Sequence, residues 1–309
     1  MNWTVDDLKS TAVGVSASRR TDIPALFSRW FEQRLEESFV EYIPAGPPRR
    51  VRRSIAPADV THFTFWTKWP RPFFRALDRV REIGYPALWN VTITGLGGTE
   101  VEPHVPSTEK AIASVIDLSR IVGAAAIQWR YDPLFLSEHF DAQHHVDTFT
   151  RIAEALTGHV DRVTTSTVEM YERRVKRDLE QYEKETGDTL ITSSVAVVDL
   201  VHRLREIADT VGIRFTLCCA PELRVAIACE PAGCNSWAWA TRVYPDLQRH
   251  RALRNQPTRP DCACSQEFDI GVYDTCVLGC RYSYGSCNEA RARLNFSKHD
   301  QAAPCLIPG

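Results

Sequence analysis

The chain has 309 residues, 44% of them hydrophobic, and a formal net charge of -2 at pH 7. This length allows a full core, as one large domain or as a domain with an extension. So weak a net charge does not indicate a protein built to attract polyanions, and no apolar run approaches the roughly 18 residues of a membrane helix. The first residues lack the pattern of a secretory signal, so we expect a cytoplasmic protein with no membrane partner.

Short apolar runs, typical of buried strands, alternate with longer segments of helical period over the first 220 residues. Strands that alternate with helices in this way indicate right-handed βαβ units and a parallel sheet. We therefore predict an α/β fold, a partial or full (β/α) TIM-type barrel. The predicted strands are 11–17, 62–66, 87–94, 124–129, 162–168 and 213–219; the predicted helices are one starting at 24, then 73–83, 107–122, 145–156, 172–184 and 194–211.

The alternation weakens after residue 220, where prolines become frequent on the approach to a cysteine-rich segment. We therefore divide the chain into a (β/α) barrel core over 1–220 and a C-terminal cysteine-rich extension over 221–309. We expect the extension to fold back over the mouth of the barrel.

Polar residues follow the predicted strands, and the carboxyl ends of strands build the active sites of βα barrels. An arginine that leaves a buried strand needs a partner, which Asp132 or a bound carboxylate can provide for Arg130. The glycine-rich exit at 95–98 can lie against a cofactor's carboxylate or ribose, although such an exit needs no ligand to explain it. We predict catalytic roles for Arg19, Lys68, Arg130 and Asp132, and cofactor binding by Thr94, Gly95, Gly97 and Glu169.

Half of the ten cysteines fall in one short segment near the end of the chain. In a reducing compartment such clusters are more often metal ligands than disulfides, and thiolates bind iron–sulfur clusters and zinc. We predict as metal ligands Cys262, Cys264, Cys276, Cys280 and Cys287.

The spacing Cys276-x3-Cys280-x2-Ser283 resembles the Cys-x3-Cys-x2-Cys loop of radical S-adenosylmethionine enzymes. That loop holds three irons of a [4Fe–4S] cluster and leaves the fourth iron open for the cofactor. Serine at the third position departs from the pattern and leaves three outcomes open. Cys287 takes the vacant position, an earlier cysteine (Cys262, Cys264 or Cys219) completes the cluster, or the site binds no intact cluster.

The chain resembles the uncharacterised family called domain of unknown function 1848 over nearly its whole length. The resemblance rests on five motifs in the family's order: Ser16-Ala-Ser-Arg-Arg-Thr-Asp-Ile-Pro24, Phe65-Trp-Thr-Lys68, Thr92-Ile-Thr-Gly95, Trp129-Arg-Tyr-Asp-Pro133 and Asp269-Ile-Gly-Val-Tyr-Asp-Thr-Cys276. It implies a cluster loop of the radical-enzyme kind at the end of the chain, and Cys219 and Cys234 also match the family. It further implies a [4Fe–4S] cluster, S-adenosylmethionine, an external electron donor and an unidentified small-molecule or nucleotide substrate.

Two alternatives stay open. Zinc bound by Cys262, Cys264, Cys276 and Cys280 would pin the tail to the barrel, although a Cys-x-Cys pair is tighter than the usual zinc spacing. Four arginines at 49, 50, 52 and 53 form a basic cluster that fits the phosphates of a nucleic acid, as in a metal-stabilised repair protein without radical activity. We favour nucleic-acid binding less, since arginines beside prolines more often form a solvated loop.

Overall fold

The computed structural model describes residues 12–44, 49–168, 172–286 and 288–307. Eight of its strands form one parallel sheet, which confirms the α/β fold and is consistent with a partial TIM-type barrel. The strands are β1 (Val13–Ala17), β2 (Phe39–Tyr42), β3 (Val51–Ser54), β4 (Val60–Thr67), β5 (Ala87–Thr92), β6 (Ile127–Arg130), β7 (Arg162–Thr165), β8 (Arg214–Leu217), β9 (Glu230–Pro231) and β10 (Glu267–Asp269). Their order in the main sheet is β10-β1-β4-β5-β6-β7-β8-β9, and β2 pairs with β3 in a separate antiparallel hairpin.

Helices connect most successive strands of the main sheet, as the βαβ pattern predicts. Polar side chains begin several of them: Asp22, Ser107 and Asp141 each accept a hydrogen bond from a backbone N–H three residues on. The α-helices are α1 (Ile23–Leu26), α2 (Ser28–Glu37), α3 (Phe74–Ile83), α4 (Thr108–Val122), α5 (Ala142–Leu156), α6 (Glu172–Thr186), α7 (Ser194–Thr210), α8 (Pro221–Ile227), α9 (Trp237–Val243) and α10 (Glu289–Ser297). No described helix is both long and apolar enough to cross a membrane.

The outer face of the main sheet packs against helices and is aromatic and aliphatic. Phe63 and Phe65 of β4 project to this side, where their rings lie 5.3 and 5.5 Å from the ring of Phe31 in α2. Trp129 of β6 lies 4.7 Å from Phe149 of α5. Burial of this apolar face against the helices builds the largest core cluster of the protein.

The inner face, on the opposite side of the same strands, is polar. Trp66, Asn90, Gln128 and Arg162 are register partners in one row across β4, β5, β6 and β7. Asn90 and Gln128 are fully buried. Buried polar groups are stable only with hydrogen-bond partners, so this face needs a polar neighbour.

The tail between β9 and β10 provides that neighbour. The side chain of Asn90 donates to the backbone carbonyl of Cys234 at 3.0 Å, and Arg162 donates to that of Gly233 at 3.2 Å. The Arg162 guanidinium also lies 4.3 Å from the ring centre of Trp239 in α9. The tail therefore packs on the inner face and returns to the sheet as β10 beside β1.

The six predicted strands all occur. β4 is longer than the predicted 62–66 and the other five are shorter than predicted, whereas β9, β10 and the β2–β3 hairpin lie outside the prediction. The fourth predicted strand starts three residues late, because 124–126 form a 3-10 turn before β6. Since β9 and β10 belong to the main sheet, part of 221–309 lies in the sheet itself. The division of the chain at residue 220 stays a prediction.

Candidate functional site

The carboxyl edge of the sheet carries a buried ion pair. Lys68, which follows β4, donates its Nζ to Oε1 of Glu102 at 2.9 Å. Thr94, beyond β5, donates its hydroxyl to the same oxygen at 2.6 Å, and so does the hydroxyl of Tyr282. Glu102 is only 1% exposed. Parallel strands bring these side chains together because their carboxyl ends meet at one edge.

Asp22 extends this group towards β1. Its carboxylate accepts from the backbone N–H of Ala25 at 2.9 Å and from that of Lys68 at 2.8 Å. Burial raises the pKa of Asp22 to about 6, although these hydrogen bonds oppose the shift. Burial by itself would lower the pKa of Lys68, but Glu102 raises it above its ordinary value. Lys68 is therefore charged at neutral pH, whereas Asp22 loses its proton at a pH slightly below neutral.

The cysteine loop predicted to hold a cluster lies at the same edge. Cys276 and Cys280 are both half-buried. Burial, helped by the nearby Asp22, raises the pKa of Cys276 to about 11, while backbone N–H groups donate to its sulfur. Burial also raises the pKa of Cys280, and the charge of Lys68 opposes that rise. We call Asp22, Lys68, Glu102, Cys276 and Cys280 the edge site.

Ser283 occupies the position of the third ligand, and its hydroxyl accepts hydrogen bonds from backbone N–H groups of its own turn. Its Oγ accepts from the backbone N–H of Gly285 at 3.2 Å and of Ser286 at 3.4 Å. The predicted ligand Cys287 and the predicted cofactor residue Glu169 lie outside the described residues. The edge site therefore provides two thiols in the part of the chain that the structure describes.

Arg130 and Arg19 lie on either side of Trp66 along the sheet. Arg130 contacts the carboxylate of Asp132 with Nη2 and donates Nη1 to the sulfur of Cys234 at 2.8 Å. Arg19 lies 3.7 Å from the carboxylate of Glu267. The two guanidinium groups lie 5.3 and 4.9 Å from the ring centre of Trp66, within range of a cation–π interaction.

Five other cysteine side chains form a second group, which we call the five-thiol cluster: Cys218, Cys219, Cys234, Cys262 and Cys264. The sulfurs of Cys218 and Cys219 are 3.6 Å apart. Hydrogen bonds from Cys218 and Cys264 lower the pKa of Cys234, and hydrogen bonds from Cys219 and Cys264 lower that of Cys262. The predicted ligands Cys262 and Cys264 thus contact Cys219 and Cys234, while Cys276 and Cys280 lie in the edge site.

Neither the edge site nor the five-thiol cluster has the geometry of a metal site in this structure. Among the described residues, no three His, Cys, Asp or Glu side chains have donor atoms arranged to hold an ion. All nine cysteines in the described ranges are free thiols. The predicted ligand set of Cys262, Cys264, Cys276, Cys280 and Cys287 stays a prediction.

The two predicted cofactor glycines lie where a side chain has no room. A Cβ atom on Gly95 would come 2.2 Å from Cγ2 of Thr148, and one on Gly97 would come 2.1 Å from the backbone oxygen of Pro106. Close packing by itself therefore accounts for both glycines. Their predicted contact with a cofactor stays a prediction.

Three of the four arginines in the predicted basic cluster contact the protein itself. Arg52 pairs with Glu41 at 2.8 Å, Arg50 donates to the backbone oxygen of Ile307 at 3.1 Å, and Arg53 lies 5.6 Å from the ring centre of Phe268. These partners compete with phosphates for the same guanidinium groups.

Sequence reasoning missed Glu102, Trp66 and Cys218. Glu102 lies in a loop ten residues beyond β5, where no periodicity marks it. Trp66 lies on the face of β4 opposite Phe63 and Phe65, but an aromatic residue in a buried strand does not by itself indicate a functional role. For Cys218, the available signal is its place beside Cys219 at the end of a predicted strand.

Comparison with known proteins gives little beyond a family. No curated protein matches the chain. Two solved structures are similar to it: the tandem GH20 catalytic modules of the pneumococcal exo-β-D-N-acetylglucosaminidase StrH, and StrH described as a pneumococcal virulence factor with N-glycan recognition and hydrolysis. Each is 9% identical with a TM-score of 0.23, over 68% of this chain and 54% of that chain. The chain spans about half the length of the StrH chains. A TM-score this low supports no conclusion about the function of this chain.

The family model described as "Domain of unknown function (DUF1848)" matches residues 15–285. The match runs from β1 through Cys276, Cys280 and Ser283, and it ends before Cys287. It includes both the edge site and the five-thiol cluster. The chain belongs to the DUF1848 family.

Proposed function

We propose that this chain is an iron–sulfur enzyme of the radical S-adenosylmethionine type, acting on an unidentified small-molecule or nucleotide substrate. One observation carries the proposal: the Cys276-x3-Cys280 loop lies half-buried at the carboxyl edge of a parallel sheet, beside the Lys68–Glu102 ion pair. Active sites of TIM-type barrels are built at this edge. A reducing, cytoplasmic setting and an external electron donor are part of the proposal.

The described residues fit such a cluster only in part. A [4Fe–4S] cluster with one open iron takes three thiolates, and Cys276 and Cys280 supply two. The Ser283 hydroxyl is a harder and less acidic ligand than a thiol, and it already accepts hydrogen bonds within its own turn. For the third thiolate the sequence leaves open Cys287 or an earlier cysteine, and the earlier candidates Cys262, Cys264 and Cys219 lie in the five-thiol cluster. Enzymes of this type use one cluster electron to cleave S-adenosylmethionine reductively.

The chain's own residues at this edge are suited to binding a charged, polar ligand. Glu102 keeps Lys68 charged and fixes its position, and a ligand carboxylate or phosphate would share the ammonium with Glu102 through its other N–H donors. Asp132 does the same for Arg130. Asp22, with a pKa of about 6, is suited to taking or giving a proton near neutral pH.

The test is anaerobic reconstitution with iron and sulfide, followed by an assay for 5′-deoxyadenosine with S-adenosylmethionine and a reductant. We expect a brown protein that forms 5′-deoxyadenosine, and loss of this activity in Cys276→Ala and Cys280→Ala. The matched control is Cys229→Ala, because Cys229 is also half-buried but belongs to neither thiol group.

Ser283→Cys separates an intact site from a diverged one. If the wild type is inactive and Ser283→Cys forms 5′-deoxyadenosine, the loop is a diverged radical-enzyme loop. If Cys287 is the third ligand, the wild type is active and Cys287→Ala is not. A wild type and a Ser283→Cys variant that are both inactive after reconstitution overturn the proposal.

A further inference from the structure

We infer that the five-thiol cluster is a second metal centre, in which four or five thiolates bind zinc or iron separately from the edge site. The inference does not depend on the radical chemistry proposed above. It rests on the convergence of the thiols, on the donors that surround them and on the spacing of their sulfurs.

The five thiols converge from three separate loops. Cys218 and Cys219 directly follow β8, Cys234 follows β9, and Cys262 and Cys264 precede β10. Cys218, Cys234 and Cys264 are buried and in mutual contact, and the other two pack against them. A cysteine can be an ordinary small apolar core residue, but then it has no need of other cysteines as neighbours.

Three nitrogen donors point at the sulfurs of the cluster. Nη1 of Arg130 and Nε2 of Gln128 donate to the sulfur of Cys234 at 2.8 and 3.5 Å. Nη2 of Arg259 donates to the sulfur of Cys218 at 3.5 Å. A neutral thiol is a weak acceptor, whereas a metal bound by four thiolates carries net negative charge that such donors stabilise. Charge-assisted hydrogen bonds are also the shorter ones, as with Arg130.

A further donor beside the cluster has no partner among the described residues. The indole Nε1 of Trp66 is buried without a hydrogen bond, and the Trp66 side chain packs against the cluster. An unpaired buried N–H costs about 1–3 kcal/mol. Metal-bound sulfur next to this indole would provide an acceptor.

One pair of sulfurs in the cluster is spaced close to the distance found in a tetrahedral thiolate centre. Metal–sulfur bonds of about 2.3 Å place the sulfurs of such a centre about 3.8 Å apart. Cys218 and Cys219 are 3.6 Å apart. The five thiols contact one another without defining an ion position, so binding requires the cysteine side chains to rearrange.

The first experiment measures metal binding, with no assay of activity. Metal-free protein is titrated anaerobically with Co²⁺, and the sulfur-to-cobalt charge-transfer absorption is recorded. We expect a tetrahedral thiolate spectrum with about one Co²⁺ per chain. Cys234→Ser and Cys264→Ser should reduce the affinity at least about tenfold, comparable to the loss of a supporting contact around a metal. The double variant Cys276→Ser/Cys280→Ser and the control Cys229→Ser should retain the spectrum.

The second measurement needs no variant and so does not depend on their folding. Purified protein is analysed for zinc, iron and acid-labile sulfide, and its cysteines are then alkylated before and after chelation and identified by mass spectrometry. Zinc without sulfide identifies a zinc centre, and iron with sulfide identifies an iron–sulfur cluster. Either result supports the inference if the metal protects the five cluster cysteines together from alkylation: Cys218, Cys219, Cys234, Cys262 and Cys264. Protection confined to Cys276 and Cys280, disulfides within the cluster, or no thiolate spectrum with Co²⁺ overturns it.

Discussion

The ion pair of Lys68 and Glu102 gives the most direct test of the edge site. Glu102→Gln keeps the shape of the side chain but removes the charge that Lys68 faces at 2.9 Å. Lys68→Met removes the ammonium and keeps much of the aliphatic stem. Because both groups are nearly buried, each single variant leaves a charge or a polar group without its partner.

The expected size follows from the geometry. Two unit charges 2.9 Å apart attract each other by about 6 kcal/mol at an effective dielectric constant of about 20. Desolvation of both groups cancels much of that attraction in the intact pair, but breaking a buried pair from one side costs about 3–5 kcal/mol. We therefore expect each single substitution to lower the free energy of unfolding by about 3–5 kcal/mol. The double variant should cost no more than the worse single one, which implies a coupling energy at least as large as the smaller single cost, about 3 kcal/mol or more.

The assay is anaerobic urea unfolding at pH 7.5 of the wild type, both single variants and the double variant. The matched control is the cycle Arg71→Met and Asp117→Asn, an ion pair at the same 2.9 Å whose side chains are 58% and 37% exposed. Solvent-exposed pairs contribute about 0–1 kcal/mol, so this cycle should show little coupling. Additive costs at Lys68 and Glu102, or the same coupling in both cycles, refute the claim that the edge site holds a buried ion pair.

Three further predictions concern the frame around the site. Burial lowers the pKa of His145 to about 4, so its contribution to stability is full above pH 6.5 and falls by about 3 kcal/mol as the pH drops towards 4. Urea unfolding of His145→Gln should therefore show a flatter pH dependence of stability over that window. An unchanged pH dependence in this variant contradicts the prediction. Asp269→Asn should cost about 1.5–3 kcal/mol by urea unfolding, because its partly buried carboxylate accepts from Ser16, Arg19 and Arg20, and a cost below about 1 kcal/mol argues against that role. Gly97→Ala should cost about 1–3 kcal/mol through overpacking, measured by thermal unfolding, whereas loss of S-adenosylmethionine binding at unchanged stability would indicate a contact with the cofactor.

The fold can be predicted wherever a local pattern determines it. The strand β4 is rich in β-branched and aromatic residues, and helices such as α4 begin at a polar cap that the sequence displays. The short strands are not predictable in this way. In β10, Glu267 and Asp269 are charged, and their partners Arg19 and Arg20 lie some 250 positions earlier in the chain. Only the folded sheet shows that these charges are compensated.

The sequence likewise does not show which cysteines lie together in the fold. Close spacing between 262 and 287 indicates a single metal site, because nothing in the sequence marks a strand between the two halves of the segment. In the structure β10 begins shortly after Cys264 and ends before Cys276. Because a strand is extended, the residues before it and the residues after it lie at its opposite ends. The early pair therefore joins Cys234 on the inner face, and the late pair joins Lys68 at the edge.

This arrangement ties the two thiol groups to one piece of backbone. β10 pairs only three residues with β1, and a strand so short has little stability of its own. Its position therefore depends on what holds it at each side: the five-thiol cluster before it, and the turn through Asp269 and the edge loop after it. A metal at the five-thiol cluster would then do more than stabilise the tail. By fixing the start of β10, it would fix the register from which the Cys276–Cys280 loop reaches the edge site.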